Sequence, residues 1–294
     1  MKVLVTGASG TIGSSLTAAL TAEGHQVIRL VRRTPKNSEV QWNPNGEADP
    51  KLCNGADAVV HLAGESIAGG RWSARKKAAI LNSRVLGTRT MAKSIAAATN
   101  PPKVLLSGSA IGFYGSRGDE VLTEQSSPGQ GFLSEVCRQW EAETEPARLA
   151  GARVVRVRTG LVLTPRGGAL QKMLPAFRLG GGGRVGSGQQ WWSWIALDDL
   201  VGLMVFALTS EGVQGALNGT APNPVTNAEF TRVLGKVLRR PVIFPLPAFA
   251  VRLAMGEMGE ELLLASQRVQ PAAAQAAGYR FQFPELSGAL EQML

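Results

Sequence analysis

The chain has 294 residues, 44% of them hydrophobic, with 31 Lys and Arg against 22 Asp and Glu and a net charge of +9. This is long enough for one large domain or two modest ones and apolar enough for a sizeable core. The charge favours anionic partners, but the Lys and Arg are scattered without interleaved aromatics. That weighs against nucleic acid and for a phosphate-rich cofactor.

Residues 1–6 read as a short apolar strand. It runs into Gly7-Ala-Ser-Gly10-Thr11-Ile12-Gly13 and restarts as a helix with Ile12, Leu16, Ala19 and Leu20 on one face. A strand that breaks on spaced glycines and resumes as a helix builds a dinucleotide pyrophosphate site. Glycine permits the tight turn and close approach of phosphate, and the helix N-terminus offers unpaired amides. The glycines stand one residue wider than the common G-x-G-x-x-G, but the strand before and the helix after supply the required context.

Gly24 closes that helix and Gln26–Val31 forms a second strand. An NAD site places Asp or Glu about twenty residues beyond the glycines. Here Arg32 and Arg33 stand instead, and a guanidinium fork suits the 2′-phosphate of NADP(H). Further strands are predicted at 58–62, 103–107 and 153–157. Helices are predicted at 73–99 and at 132–149, the latter interrupted by Pro146. This alternation predicts an α/β fold, a Rossmann-type doubly wound parallel sheet.

A glycine-rich loop at 180–188 and the cluster Trp191, Trp192 and Trp194 follow. Pro222 and Pro224 then open a last segment with helices at Asn227–Leu238 and 260–269. The expected division is a Rossmann domain over 1–220 and a smaller C-terminal substrate lobe over 221–294, with the 165–190 loop leaning toward the lobe. A substrate is expected in the cleft between them.

Cys53 and Cys137 lack metal-like spacing and suit a reducing compartment. With only His25 and His61 besides, no metal site is expected, and His61 reads as a structural imidazole in a strand. The N-terminus lacks a signal-peptide pattern. The apolar stretch 241–255, broken by prolines and Arg252, is too short to span a bilayer. The expectation is a cytoplasmic protein without a membrane partner.

The chain resembles the extended short-chain dehydrogenases/reductases, the NAD(P)-dependent epimerase/dehydratase group. The glycine pattern, Leu62-Ala63-Gly64 and Ser107-Gly-Ser109-Ala-Ile-Gly-Phe-Tyr114-Gly115 carry the likeness. Leu62-Ala-Gly-Glu-Ser-Ile67, Asn82-Ser-Arg84, Trp191-Trp-Ser-Trp-Ile195 and Gly278-Tyr-Arg-Phe-Gln-Phe-Pro-Glu-Leu286 bring it closer to the family-39U branch of epimerase-family proteins. The resemblance implies that Leu62, Ala63 and Gly64 border the adenosine and ribose. It also implies that Ser107 lies beside the cofactor, that Arg84 reaches the pyrophosphate, and that Thr159, Gly160 and Leu161 pass near the nicotinamide.

The group's chemistry uses a Ser with Tyr-x-x-x-Lys, in which the phenol moves the proton as hydride moves. Ser109 matches the Ser. Phe132 and Val136, or one residue on Leu133 and Cys137, stand where the Tyr and Lys belong. Tyr114 is the phenol expected to replace the donor. Two functions follow: an NADP(H)-dependent oxidoreductase or epimerase with a nonstandard site, or a catalytically weak NADPH-binding regulator or sensor. The substrate is a small molecule that the sequence does not name, and a homodimer is compatible with either reading.

Overall fold

The structure, a computed structural model, describes residues 1–36 and 38–294. Its strands are β1 (Lys2–Thr6), β2 (Gln26–Val31), β3 (Glu39–Gln41), β4 (Ala58–His61), β5 (Val104–Ala110), β6 (Val121–Leu122), β7 (Arg153–Thr159), β8 (Leu161–Leu163), β9 (Trp191–Trp192), β10 (Trp194–Ala196), β11 (Gly215–Gly219), β12 (Val225–Thr226) and β13 (Arg268–Val269). Seven form one sheet in the order β11-β7-β5-β4-β1-β2-β3, and every neighbouring pair in it is parallel. The strand order reverses between β1 and β4. In an open parallel sheet this switch point leaves a crevice at the strands' carboxyl ends.

The helices are α1 (Thr11–Ala22), α2 (Pro50–Cys53), α3 (Ala74–Ala97), α4 (Phe132–Ala142), α5 (Glu145–Leu149), α6 (Gly168–Arg178), α7 (Leu197–Thr209), α8 (Asn227–Leu238), α9 (Ala248–Met255), α10 (Glu257–Gly259), α11 (Ala272–Ala276) and α12 (Leu286–Met293). On one sheet face Val3, Val5 and Val155 pack with Leu16 and Leu20 of α1 and Leu200 and Met204 of α7. On the other, Leu4, Val59 and Leu105 pack with Met91 and Ile95 of α3. Both faces are covered, which is why these strands read as continuous apolar runs.

A third core joins Leu163, Leu170, Leu174, Trp192 and Trp194 to Phe230, Leu234, Leu286 and Leu290. Residues from 161–194 and from 221–290 thus share one core, while 273–281 packs on the main sheet.

Local chemistry sets the helix ends. The Thr226 hydroxyl accepts from Glu229 N–H at 3.2 Å at the start of α8, with the Thr-x-x-Glu spacing of a capping box. The predicted 132–149 helix breaks between Ala142 and Glu145: Pro146 has no N–H to continue the α4 ladder and sits instead in the first turn of α5, where none is needed. The predicted helix at 260–269 does not form. Residues Glu260–Leu264 make a single π-turn and Arg268–Val269 a strand beside Val121–Leu122. The reason is tertiary: Gln190 Nε2 and Trp192 Nε1 donate to the Leu263 carbonyl, and the Ser193 hydroxyl bonds Gln267 O and Val269 N–H. No helix among the described residues is long and apolar enough to cross a membrane.

Candidate functional site

The glycine turn stands at the switch point. Gly7 has φ 68°, and an added Cβ would lie 2.8 Å from the Leu62 carbonyl carbon. A Cβ at Gly13 would overlap the Gly7 carbonyl and come within 2.9 Å of Ala8 Cα. Neither position admits another residue without moving backbone. α1 starts at Gly10 with no side-chain cap and no acidic residue in its first turn. Its first amides and the positive end of its dipole are left for an anion. Thr11 and Ile12 lie in that first turn, and Gly167, at the start of α6, sits against Thr11: a Cβ there would be 2.6 Å from its hydroxyl.

Thr6 fixes the far side of the turn. Its hydroxyl accepts from the amides of Leu62 at 3.1 Å and Ala63 at 3.2 Å. Its own proton is therefore directed to His61 Nδ1, 2.9 Å away. This ties the end of β4 to β1 and sets Leu62, Ala63 and Gly64 beside the glycine turn. His61 is wholly buried against the edge of Trp42, and burial pushes its pKa down to about 4 from 6.5.

A lowered imidazole pKa means the unfolded chain takes up the proton first. Its contribution, about 3 kcal/mol, is full above pH 6.5 and is lost as pH falls toward 4. Urea titrations across that window are expected to show a steeper loss for the wild type than for His61→Gln. Equal slopes would mean the imidazole protonates within the fold.

At the end of β2 the two arginines part. Arg33 makes a bidentate pair with Glu39 at 2.8 and 2.7 Å, so it is committed to β3. Arg32 is exposed and has no carboxylate within ion-pair distance among the described residues. Arg84 of α3 lies between Gly64 and α4: Nη1 donates to Glu65 O at 2.9 Å and Ile80 O at 3.1 Å, and the guanidinium stands 5.1 Å over the Trp140 ring. Burial lowers its pKa. Ser107 is buried within the sheet, its hydroxyl on Gly108 O. Thr159 ends β7, and the amides of Gly160 and Leu161 bond Gly219 O and Ser193 O.

The two expected catalytic residues sit in the interior. Tyr114 is wholly buried; its hydroxyl donates to Asn218 Oδ1 at 2.7 Å and accepts from Arg158 Nη1 at 3.0 Å. Burial raises its pKa. Ser109 donates to Glu141 at 2.7 Å, and Arg158 clamps the same carboxylate at 2.8 and 2.9 Å. This network binds β5, α4, β7 and β11 together. Tyr114, expected from the sequence as the replacement donor, thus has its phenol held within the buried network of Arg158 and Asn218.

At the start of α4, Phe132 packs edge-on against Trp72 with Lys77 Nζ 4.6 Å from its ring. Leu133 lies beneath Gly112. Val136 is buried. The Cys137 thiol points at Ala110 O, 3.6 Å away, and burial raises its pKa to about 11. Sequence reasoning missed Glu261. From the C-terminal lobe its carboxylate accepts from the amides of Phe132 at 2.7 Å and Leu133 at 2.8 Å, and burial raises its pKa. Only the fold brings residues 129 apart in sequence together, so no local signal marks it. Lys172 Nζ donates to Ala68 O at 3.2 Å.

Comparison with known proteins places the chain among relatives of one family. The profile of the NAD dependent epimerase/dehydratase family matches residues 3–218, and a domain of unknown function matches 246–293. An epimerase family protein of Mycobacterium bovis is 46% identical over 98% of this chain and 96% of its own length. The epimerase family protein SDR39U1 of Homo sapiens is 40% identical over the whole of both chains. A crystal structure of human SDR39U1 with NADPH superposes with a TM-score of 0.92 at 38% identity, covering 100% of this chain and 99% of that one. A UDP-N-acetylglucosamine 4-epimerase from Bacillus cereus, 16% identical with a TM-score of 0.78, shares the fold.

Proposed function

The chain belongs to the NAD dependent epimerase/dehydratase family of extended short-chain dehydrogenases/reductases, and from that premise we propose that it is an NADP(H)-dependent oxidoreductase or epimerase acting on a small molecule without the group's Tyr-Lys pair. The observation that carries the cofactor assignment is Arg32. It is an exposed guanidinium without a carboxylate partner, at the strand end where an NAD site holds an acid.

The residues fit the cofactor. Gly7, Gly10, Thr11, Ile12 and Gly13 would hold the pyrophosphate on the amides of α1, and Arg32 the 2′-phosphate. Leu62, Ala63 and Gly64 would border the ribose, with Arg84 adding positive charge nearby, and Thr159, Gly160 and Leu161 would flank the nicotinamide. Bound there, NADP(H) supplies or accepts the hydride. Glu261, whose pKa burial raises against the two amide hydrogen bonds that lower it, is a titratable group beside the position where the Tyr is expected, and we assign it the proton-donor role that Tyr114 leaves open. The buried thiols Cys53 and Cys137 suit a cytoplasmic setting. The second reading, an NADPH-binding regulator or sensor, is favoured by the burial of Tyr114.

The test is Arg32→Asp. A charge-assisted phosphate contact contributes about 1.5–3 kcal/mol, so the ratio of NADPH to NADH affinity is expected to fall tenfold or more. An unchanged ratio would place the 2′-phosphate elsewhere or remove it from the reading.

A further inference from the structure

The C-terminal lobe carries an apolar ridge that the cofactor site does not use. Leu179 at the end of α6, Ile243 and Phe244 in the segment before α9, and Phe249 and Leu253 on α9 are 60–88% exposed. The segment after α6 and the segment before α9 run side by side. Leu246 N–H donates to Arg184 O, Gly186 N–H donates to Leu246 O, both at 2.8 Å, and a Cβ at Gly183 would overlap the Phe244 carbonyl. Of α9 only Val251 is fully buried, and the helix presents Phe249 and Leu253 outward. Exposed patches of this kind mark interaction surfaces.

Cations border the ridge along the chain: Arg178 precedes Leu179, Arg184 bonds Leu246 through its carbonyl, and Arg239 and Arg240 precede Ile243. Arg178, Arg184, Arg239 and Arg240 are exposed, and none has a carboxylate within ion-pair distance among the described residues. A shallow depression of about 290 Å³ beside the ridge is lined by Arg184, Thr231, Arg232, Ile243 and Pro245.

We propose that this ridge docks the protein on an anionic lipid bilayer, with Phe249, Leu253, Phe244 and Ile243 entering the headgroup–acyl boundary and the bordering arginines against lipid phosphates. Charge complementarity selects this occupant. A second copy would set the same unpaired arginines against one another across a two-fold contact, whereas an anionic surface complements them. The sequence expectation of no membrane partner rested on the length a span requires; lying on a bilayer requires none.

Cosedimentation of the full chain with phosphatidylcholine vesicles, with and without phosphatidylglycerol, tests this. The proposal expects binding only where phosphatidylglycerol is present, weakening as salt rises. Phe249→Asp with Leu253→Asp, and separately Arg239→Glu with Arg240→Glu, are each expected to lower it tenfold or more. Unchanged NADPH binding in the variants would show them folded, and because that binding is read separately, failure here leaves the cofactor reading standing. No binding to anionic vesicles, binding that both variant pairs retain, or a dimer in sedimentation that Phe249→Asp dissolves would each overturn it.

Discussion

Replacing Gly13 with valine is expected to remove NADPH binding, lowering affinity by a hundredfold or more. Even the first carbon of the new side chain overlaps the Gly7 carbonyl and crowds Ala8 Cα. Those atoms are backbone, so neither can rotate away. The turn that aims the α1 amides must open, and the charge-assisted contacts to the pyrophosphate go with it. Two such contacts at about 1.5–3 kcal/mol each account for the expected loss. Calorimetric titration, with thermal unfolding as the check on folding, measures it. A folded Gly13→Val protein that binds NADPH normally would mean that the pyrophosphate sits elsewhere.

Turnover is the second large effect. General acid–base assistance by a positioned group contributes about 10²–10⁴-fold, and neither register of α4 offers a phenol or an ammonium. Wild-type NADPH oxidation over a carbonyl panel is therefore expected to be slow. Glu261→Gln should lower it further, because its carboxyl stands beside Phe132 and Leu133 and is the group assigned as donor. Its raised pKa gives the sign: the acid form, and the rate that depends on it, declines as pH rises. Tyr114→Phe should leave the rate unchanged and reduce stability by about 1 kcal/mol through the lost hydroxyl bonds. Brisk turnover insensitive to Glu261→Gln would show a donor outside this site. No turnover with NADPH still bound would favour the sensor reading.

What was legible in the sequence follows the range of the interactions involved. β1, the glycine turn, α1 and β2 could be read because strand period, helix period and glycine spacing are all local there, and Gln26–Val31 has the predicted bounds. α8 likewise has its predicted bounds, since Thr226 and Glu229 carry the start signal themselves. Arg33 was grouped with Arg32 because nothing local shows that Glu39, on the neighbouring strand, takes it. Tyr114 looked available because its partners Arg158 and Asn218 lie 44 and 104 residues away. The helical pattern at 260–269 lost to side chains of the 190–193 segment that take its backbone groups. Glu261 escaped notice for the same reason: a carboxyl that closes the start of α4 from another lobe has no signature in either segment.

The central claim is that the crevice between β1 and β4 is an NADP(H) site selected by Arg32. Calorimetric titration of the unmodified protein with NADPH and then NADH tests it most directly. The expected result is one NADPH per chain, bound at least tenfold more tightly than NADH. Equal affinities, or no binding of NADPH at all, would contradict it.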